Sequence, residues 1–174
     1  YDKQKKKFYV ILIFESKNLE VRNEGEVIGI DRGIKNLIVL SNGKILGNEI
    51  KASKRRYSYL RQKLSIKGTR SSKRLLKRLG GKEQRFNREI NHKISKELSN
   101  KQNVSVYVLE NLLNIRKHNK KSKNFNRMLH SWPFKQFEMF LKYKCLAKGI
   151  KIEKVDARYT SQLCYNCGYI DKKN

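Results

Sequence analysis

The amino-acid sequence predicts an α/β fold, a mixed five-stranded sheet with helices on both faces. Three observations predict it. Short β-branched runs recur as three, then one, then one; a long basic stretch at helical spacing separates the third run from the fourth; an amphipathic stretch separates the fourth from the fifth. A right-handed crossover from the opening meander places the fourth strand parallel to the first and beside it. A further crossover places the fifth strand beyond the fourth.

The elements follow in order. The chain opens at Tyr1 rather than Met, which reads as an internal fragment. Residues 8–15 (FYVILIFE) are rich in β-branched and aromatic side chains and read as a strand, broken by the polar stretch from Ser16 to Gly25. Val27, Ile28 and Ile30 make a short buried strand running into Asp31. Gly33 gives a tight turn, Ile34 to Leu40 a second strand, Asn42-Gly43 a hairpin turn, and Lys44 to Leu46 the start of a third strand. Residues 51–101 read as a helical hairpin, interrupted at Gly68-Thr69 and at Gly80-Gly81. Phe86, Ile90, Ile94 and Leu98 recur every fourth residue there and form a core stripe.

Val104 to Leu109 reads as a fourth strand, closed by Glu110 and Asn111. Residues 114–127 hold six Lys and Arg and no acid, the composition of a flexible loop. Residues 131–148 form an amphipathic helix with Pro133 in its first turn and Gly149 just past its end. Phe134, Phe137, Leu141 and Cys145 line one of its faces. Ile150 to Val155 makes the fifth strand. The longest apolar run, Phe8 to Phe14, is far too short to cross a bilayer, and no signal peptide is visible.

Charge names the partner. Lys and Arg number 42 against 15 Asp and Glu, a net +27 on 174 residues. Such an excess repels itself in a compact chain and is relieved by a polyanion. A merely solubilising surface mixes both signs. An acidic membrane surface calls for a basic amphipathic helix or a lipid signal, neither of which stands out. Nucleic acid is the expected partner. The candidate contacts fall in groups: Lys54, Arg55 and Arg56 open the hairpin, Lys73, Arg74, Lys77 and Arg78 continue it, and Lys117, Lys120, Lys121 and Lys123 follow Glu110.

Two carboxylates carry the candidate chemistry. Asp31 and Glu110 each end an apolar run, and the strand order brings them together. Converging buried carboxylates repel unless a cation lies between them or one is protonated. A hard divalent ion, Mg²⁺ or Mn²⁺, is the natural solution and suits phosphodiester cleavage. The plainer alternatives are that Asp31 starts the turn at Arg32-Gly33 and that Glu110 caps a loop or pairs with an arginine.

Cys164-Tyr165-Asn166-Cys167-Gly168 provides two thiolates in a tight turn, half of a tetrahedral Zn²⁺ site. No second CxxC follows through Asn174, so the segment reads as a zinc ribbon cut short. Cys145 sits on an apolar helix face as an inert core residue. Three cysteines do not make a disulfide framework, which points to a reducing, cytoplasmic setting.

Three segments in this order, GIDRGIKNLIVLSNG, VYVLENL and HSWPFKQFEMFLKYKCLAKGIKIEKVDARYTSQLCYNCG, resemble the TnpB (OrfB) family of transposon-encoded proteins. The resemblance implies an RNase H-like RuvC domain over residues 25–157, with the basic hairpin at 51–101 inserted in it. It also implies the tail of a preceding β-barrel (wedge) domain over 1–24 and the start of a zinc ribbon over 158–174. It implies an RNA-guided DNA endonuclease core, with Asp31 and Glu110 as the first two catalytic acids, Cys164 and Cys167 as the first zinc ligands, and DNA and guide RNA as partners. The family usually continues with a second CxxC and a third catalytic Asp. Asp156 and Asp171 do not match that motif, so the chain reads as lacking the third catalytic acid and as an incomplete active site. The alternative is a non-catalytic DNA- or RNA-binding protein derived from the family.

Overall fold

Alternation decides which side of each strand is buried. Ile28, Ile30, Tyr107 and Leu109 are at most 3% exposed, whereas Val27, one position out of phase, is 61% exposed. The computed structural model describes residues 8–13, 19–33, 37–112, 133–156, 162, 164 and 166–171. Among them the chain runs β1 (Glu26–Asp31), β2 (Ile38–Leu40), β3 (Ile45–Leu46), α1 (Ile50–Lys67), α2 (Arg70–Ser99), β4 (Val104–Asn111), α3 (Phe134–Leu146) and β5 (Lys151–Asp156). The sheet order is β3-β2-β1-β4-β5, with β1–β2 and β2–β3 antiparallel and β1–β4 and β4–β5 parallel. This is the mixed five-stranded sheet that the sequence predicts.

The core lies between one face of this sheet and the helices α2 and α3. Ile28, Ile30, Ile38, Leu40, Tyr107 and Leu109 from the strands join Ile90, Ile94 and Leu98 of α2 and Phe134, Phe137, Leu141 and Cys145 of α3 in a single cluster. The expected stripes on both helices are therefore the buried ones, with Phe86 packed half-buried at the margin. The opposite face presents Val27, Gly29, Asp31, Val39, Val106, Val108, Glu110 and Val155, none of them buried. Among the described residues the helical cover lies on the first face.

Two local expectations change. Residues 8–13 form no strand, and every side chain from Phe8 to Ile13 is exposed. A strand exists only through hydrogen bonds to a neighbour, and no strand of the sheet pairs with this segment. The Gly80-Gly81 pair does not interrupt the hairpin; α2 runs through it as one helix of 30 residues. Two mid-helix glycines cost roughly 1 kcal/mol each against alanine, and the core packing of Ile90, Ile94 and Leu98 further along α2 offsets that. Gly68, by contrast, does end α1, in a left-handed conformation at φ 62°, and Thr69 caps α2 by accepting from the Ser72 N–H.

Gly149 closes α3 as expected, with φ +69°. Its carbonyl accepts from the Arg22 N–H at 2.9 Å, and a side chain there would clash with the Glu20 carbonyl oxygen. The tight approach ties residues 20–22 to the end of α3.

Burial tunes two core groups. The Tyr107 hydroxyl donates to the Leu98 carbonyl at 2.9 Å, and burial pushes its pKa up. Burial likewise pushes the Cys145 thiol from 9.0 to about 12. Both hold their protons more tightly folded than unfolded, so their contribution to stability is full below the unfolded thiol value and is lost as pH rises through the folded one. Stability measured by urea unfolding is expected to fall steadily between pH 9 and pH 12, and Cys145→Ala is expected to flatten the start of that fall. A flat profile across this range in the unsubstituted chain would refute it.

Candidate active site and nucleic-acid interface

The strand register builds the site. Ile30 pairs with Leu109 across the parallel β1–β4 ladder, so Asp31 and Glu110 follow one step further along each strand. Successive side chains alternate faces, which puts both carboxylates on the side away from the helices. Adjacent strands lie roughly 4.8 Å apart, close enough for one cation to bridge the pair. Val39 pairs with Asp31 on one flank and Val155 with Glu110 on the other, so the two acids sit between valines.

The expectation that both carboxylates are buried does not hold. Asp31 is exposed and Glu110 is half-buried. They lie at the strand ends on the face without helical cover among the described residues, so solvent reaches them. Asp156 pairs with Asn111, one step beyond the Glu110–Val155 row, and so takes the other face. Among the described residues no group of three or more His, Cys, Asp or Glu forms a ready metal site.

Sequence reasoning missed Arg32. It reads as a turn residue beside Gly33, yet its side chain is only 1% exposed. Its Nη2 donates to the backbone carbonyl of Glu110, and its Nη1 donates to the Glu138 Oε2 at 3.2 Å. Glu138 of α3 also pairs with Lys154 of β5. Burial on its own raises the Glu138 carboxyl, but Lys154 and Arg32 outweigh it and hold it below the usual carboxylate range. One buried guanidinium thus ties the end of β1 to the end of β4, and through Glu138 to α3 and β5. Arg32 meets the backbone of Glu110, so the arginine pairing considered for that residue takes a different form.

The basic groups divide. Arg55 and Arg56 on α1, and Lys73, Arg74, Lys77 and Arg78 on α2, are exposed as expected. Lys54 is half-buried, and burial lowers its pKa. Lys117, Lys120, Lys121 and Lys123 lie outside the described residues.

The CxxC forms a knuckle. The Cys164 N–H donates to the Tyr169 carbonyl at 2.8 Å, and the Gly168 N–H donates to the Cys164 carbonyl at 2.9 Å. The backbone N–H groups of Cys167 and Asn166 hold the Cys164 thiol below its ordinary value, the electrostatics that favour a metal-binding thiolate. His92 lies far along the chain on α2, stacked on Phe140 at 3.8 Å, and offers no ligand to the knuckle. Alkylation at neutral pH is expected to modify Cys164 about a hundredfold faster than the buried Cys145, read by peptide mass spectrometry. Equal rates would contradict both placements.

Comparison with known proteins identifies the family. Residues 10–116 match the model of a probable-transposase family, OrfB_IS605, and residues 134–174 match the Cas12f1-like TNB domain. The TnpB-like protein MJ0751 of Methanocaldococcus jannaschii is 33% identical over 94% of this chain and 64% of its own length. The CRISPR-associated endodeoxyribonuclease Cas12f1 of Sulfoacidibacillus thermotolerans is 28% identical over the whole chain and 45% of its own length. The chain thus spans under two thirds of these relatives. A solved Cas12f1–sgRNA–target DNA complex shares the fold with a TM-score of 0.59 at 23% identity, covering 83% of this chain and 38% of that one. No described helix is long and apolar enough to cross a membrane. The family model takes in both Asp31 and Glu110, and on that match the chain belongs to the OrfB_IS605 family of probable transposases.

Proposed function

We propose that this chain is the core of a transposon-encoded, RNA-guided DNA endonuclease that hydrolyses phosphodiester bonds with Mg²⁺ or Mn²⁺ at Asp31 and Glu110. The observation that carries the reading is the meeting of these two strand-end acids on an open sheet face of a chain with net charge +27. The TnpB-like and Cas12f1 relatives support it, as does the likeness to a complex holding guide RNA and target DNA.

The residues fit a hard cation. Two carboxylates on adjacent strands, open to solvent on one side, match an ion that takes one or two carboxylates and completes its shell with water and phosphate oxygens. Bound there, such ions polarise the phosphoryl oxygen and supply an activated water. The protein's own part is positional. The β1–β4 ladder sets the spacing of the acids, Arg32 fixes both strand ends, and the exposed face admits the DNA backbone. The cations of α1 and α2 grip phosphates while base pairing with the guide reads sequence. Cys164 and Cys167 would offer two thiolates to Zn²⁺, half of a tetrahedral set. Free thiols suit a cytoplasmic protein.

The test is cleavage of guide-matched DNA by the RNA-loaded protein. Cleavage is expected with Mg²⁺ or Mn²⁺ and none after chelation. Binding of matched DNA without cleavage in either metal would instead establish a non-catalytic, nucleic-acid-binding member of the family.

A further inference from the structure

The distal half of the α1–α2 hairpin contains a groove whose apolar floor the nuclease reading does not use. The two helices are held in register by the Gly68 turn, by the Arg61–Glu83 ion pair and by Tyr57 against Phe86 at 6.3 Å. Beyond that point the core cluster stops. Leu60 and Leu64 of α1 and Leu75 and Leu79 of α2 face a shared open groove of about 970 Å³, and none of the four is buried. Six Lys and Arg side chains ring this apolar floor, and no acid is among its described lining residues. Pockets for drug-sized ligands run to roughly 300–1,000 Å³, so the groove has room for a nucleotide.

An apolar floor inside a cationic rim selects its occupant. A second copy of this chain brings the same positive rim and is repelled. A nucleic-acid duplex satisfies the rim, but its bases are paired inward and leave the leucines wet. An unpaired strand satisfies both, with phosphates on the rim and base faces on the leucines. Tyr59 adds a platform beside the groove; it is 58% exposed, and the Lys63 ammonium lies 5.5 Å from its ring centre. Exposed aromatics interleaved with cations are the chemistry of single-strand binding. A rim of like charges is relieved only while a polyanion stays in place. That favours a resident RNA over a DNA strand that comes and goes.

We propose that the α1–α2 groove binds an unpaired stretch of RNA, its bases against the four leucines and its phosphates on the surrounding cations. This rests on the RNA-guided reading and adds to it a site for single-stranded rather than duplex RNA. Unpaired stretches are where proteins read RNA bases, because only there are base faces accessible.

The experiment compares the chain with its Leu64→Gln/Leu75→Gln variant, which changes no charge and replaces half-exposed side chains. Fluorescence anisotropy at about 0.15 M salt measures binding of labelled single-stranded RNA, single-stranded DNA and duplex RNA of one sequence. The variant is expected to lose about tenfold for single-stranded RNA and less than about twofold for duplex, which binds through charge. Circular dichroism of the same samples reports helix content, and Tyr59→Ala, on a solvent-facing position, gives the same selective loss without touching the floor. Equal losses for single strand and duplex, or no loss for either, would overturn the proposal. A larger loss for single-stranded DNA than for RNA would overturn the choice of occupant. A guide-loaded protein that binds but never cleaves would sink the nuclease reading and leave these affinities as they are.

Discussion

In the RNA-loaded protein, Asp31→Ala and Glu110→Ala are each expected to slow DNA cleavage by about a thousandfold or more while leaving DNA binding within a few-fold. Losing a residue that only orients a metal ligand costs roughly 10–100-fold, and these two groups are the proposed ligands themselves. Either substitution would remove one of the two carboxylates proposed to hold the cation. Binding survives because affinity comes from the basic surface, and removing an anion weakens no phosphate contact. Asp31→Asn sharpens the comparison, since it keeps size and removes charge. Cleavage retained in Asp31→Asn and Asp31→Ala would disprove the site.

Phe137→Ala is expected to cost about 3–5 kcal/mol of stability. Phe137 is 0% exposed, sits in the first turn of α3 and joins the cluster that glues this helix to α2 and the sheet. A domain of this size is stable by roughly 5–15 kcal/mol, so the substitution removes a large share. The midpoint of urea unfolding should drop with little change in slope. Met139, on the same helix, is 57% exposed, and Met139→Ala is expected to stay within about 0.5 kcal/mol of the unsubstituted chain. Equal effects of the two would mean that α3 is not seated on the face assigned to it.

Much of this was legible in sequence because it rests on period and punctuation. Ile90, Ile94 and Leu98 are buried because a four-residue spacing keeps them on one side of a helix. The placing of Asp31 and Glu110 at the ends of neighbouring strands follows from strand order and crossover handedness. What was not legible depends on distant partners. The apolar run at residues 8–13 carries every local sign of a strand but pairs with no strand among the described residues. Arg32 reads as part of a turn because its partner, Glu138, comes 106 residues later. The degree of burial at Asp31 was misjudged because a strand's own pattern does not say which face a helix will cover. The groove left a trace, Leu60/Leu64 and Leu75/Leu79 at i, i+4 on either side of the Gly68 turn, but the trace resembles any core stripe until the helices stop short of the sheet.

The parallel pairing of β1 with β4 also governs how the chain reaches its native state. Arg32 and the Glu110 carbonyl it grips stand 78 residues apart, so this contact closes a long loop against chain entropy. The α1–α2 hairpin lies inside that loop and is made of local contacts, which form early. Once it has formed, the flexible segment that remains to be closed is much shorter. The basic hairpin then doubles as the strut that delivers β4 to β1. Helix-breaking changes near Gly68 should therefore slow refolding more than they lower final stability.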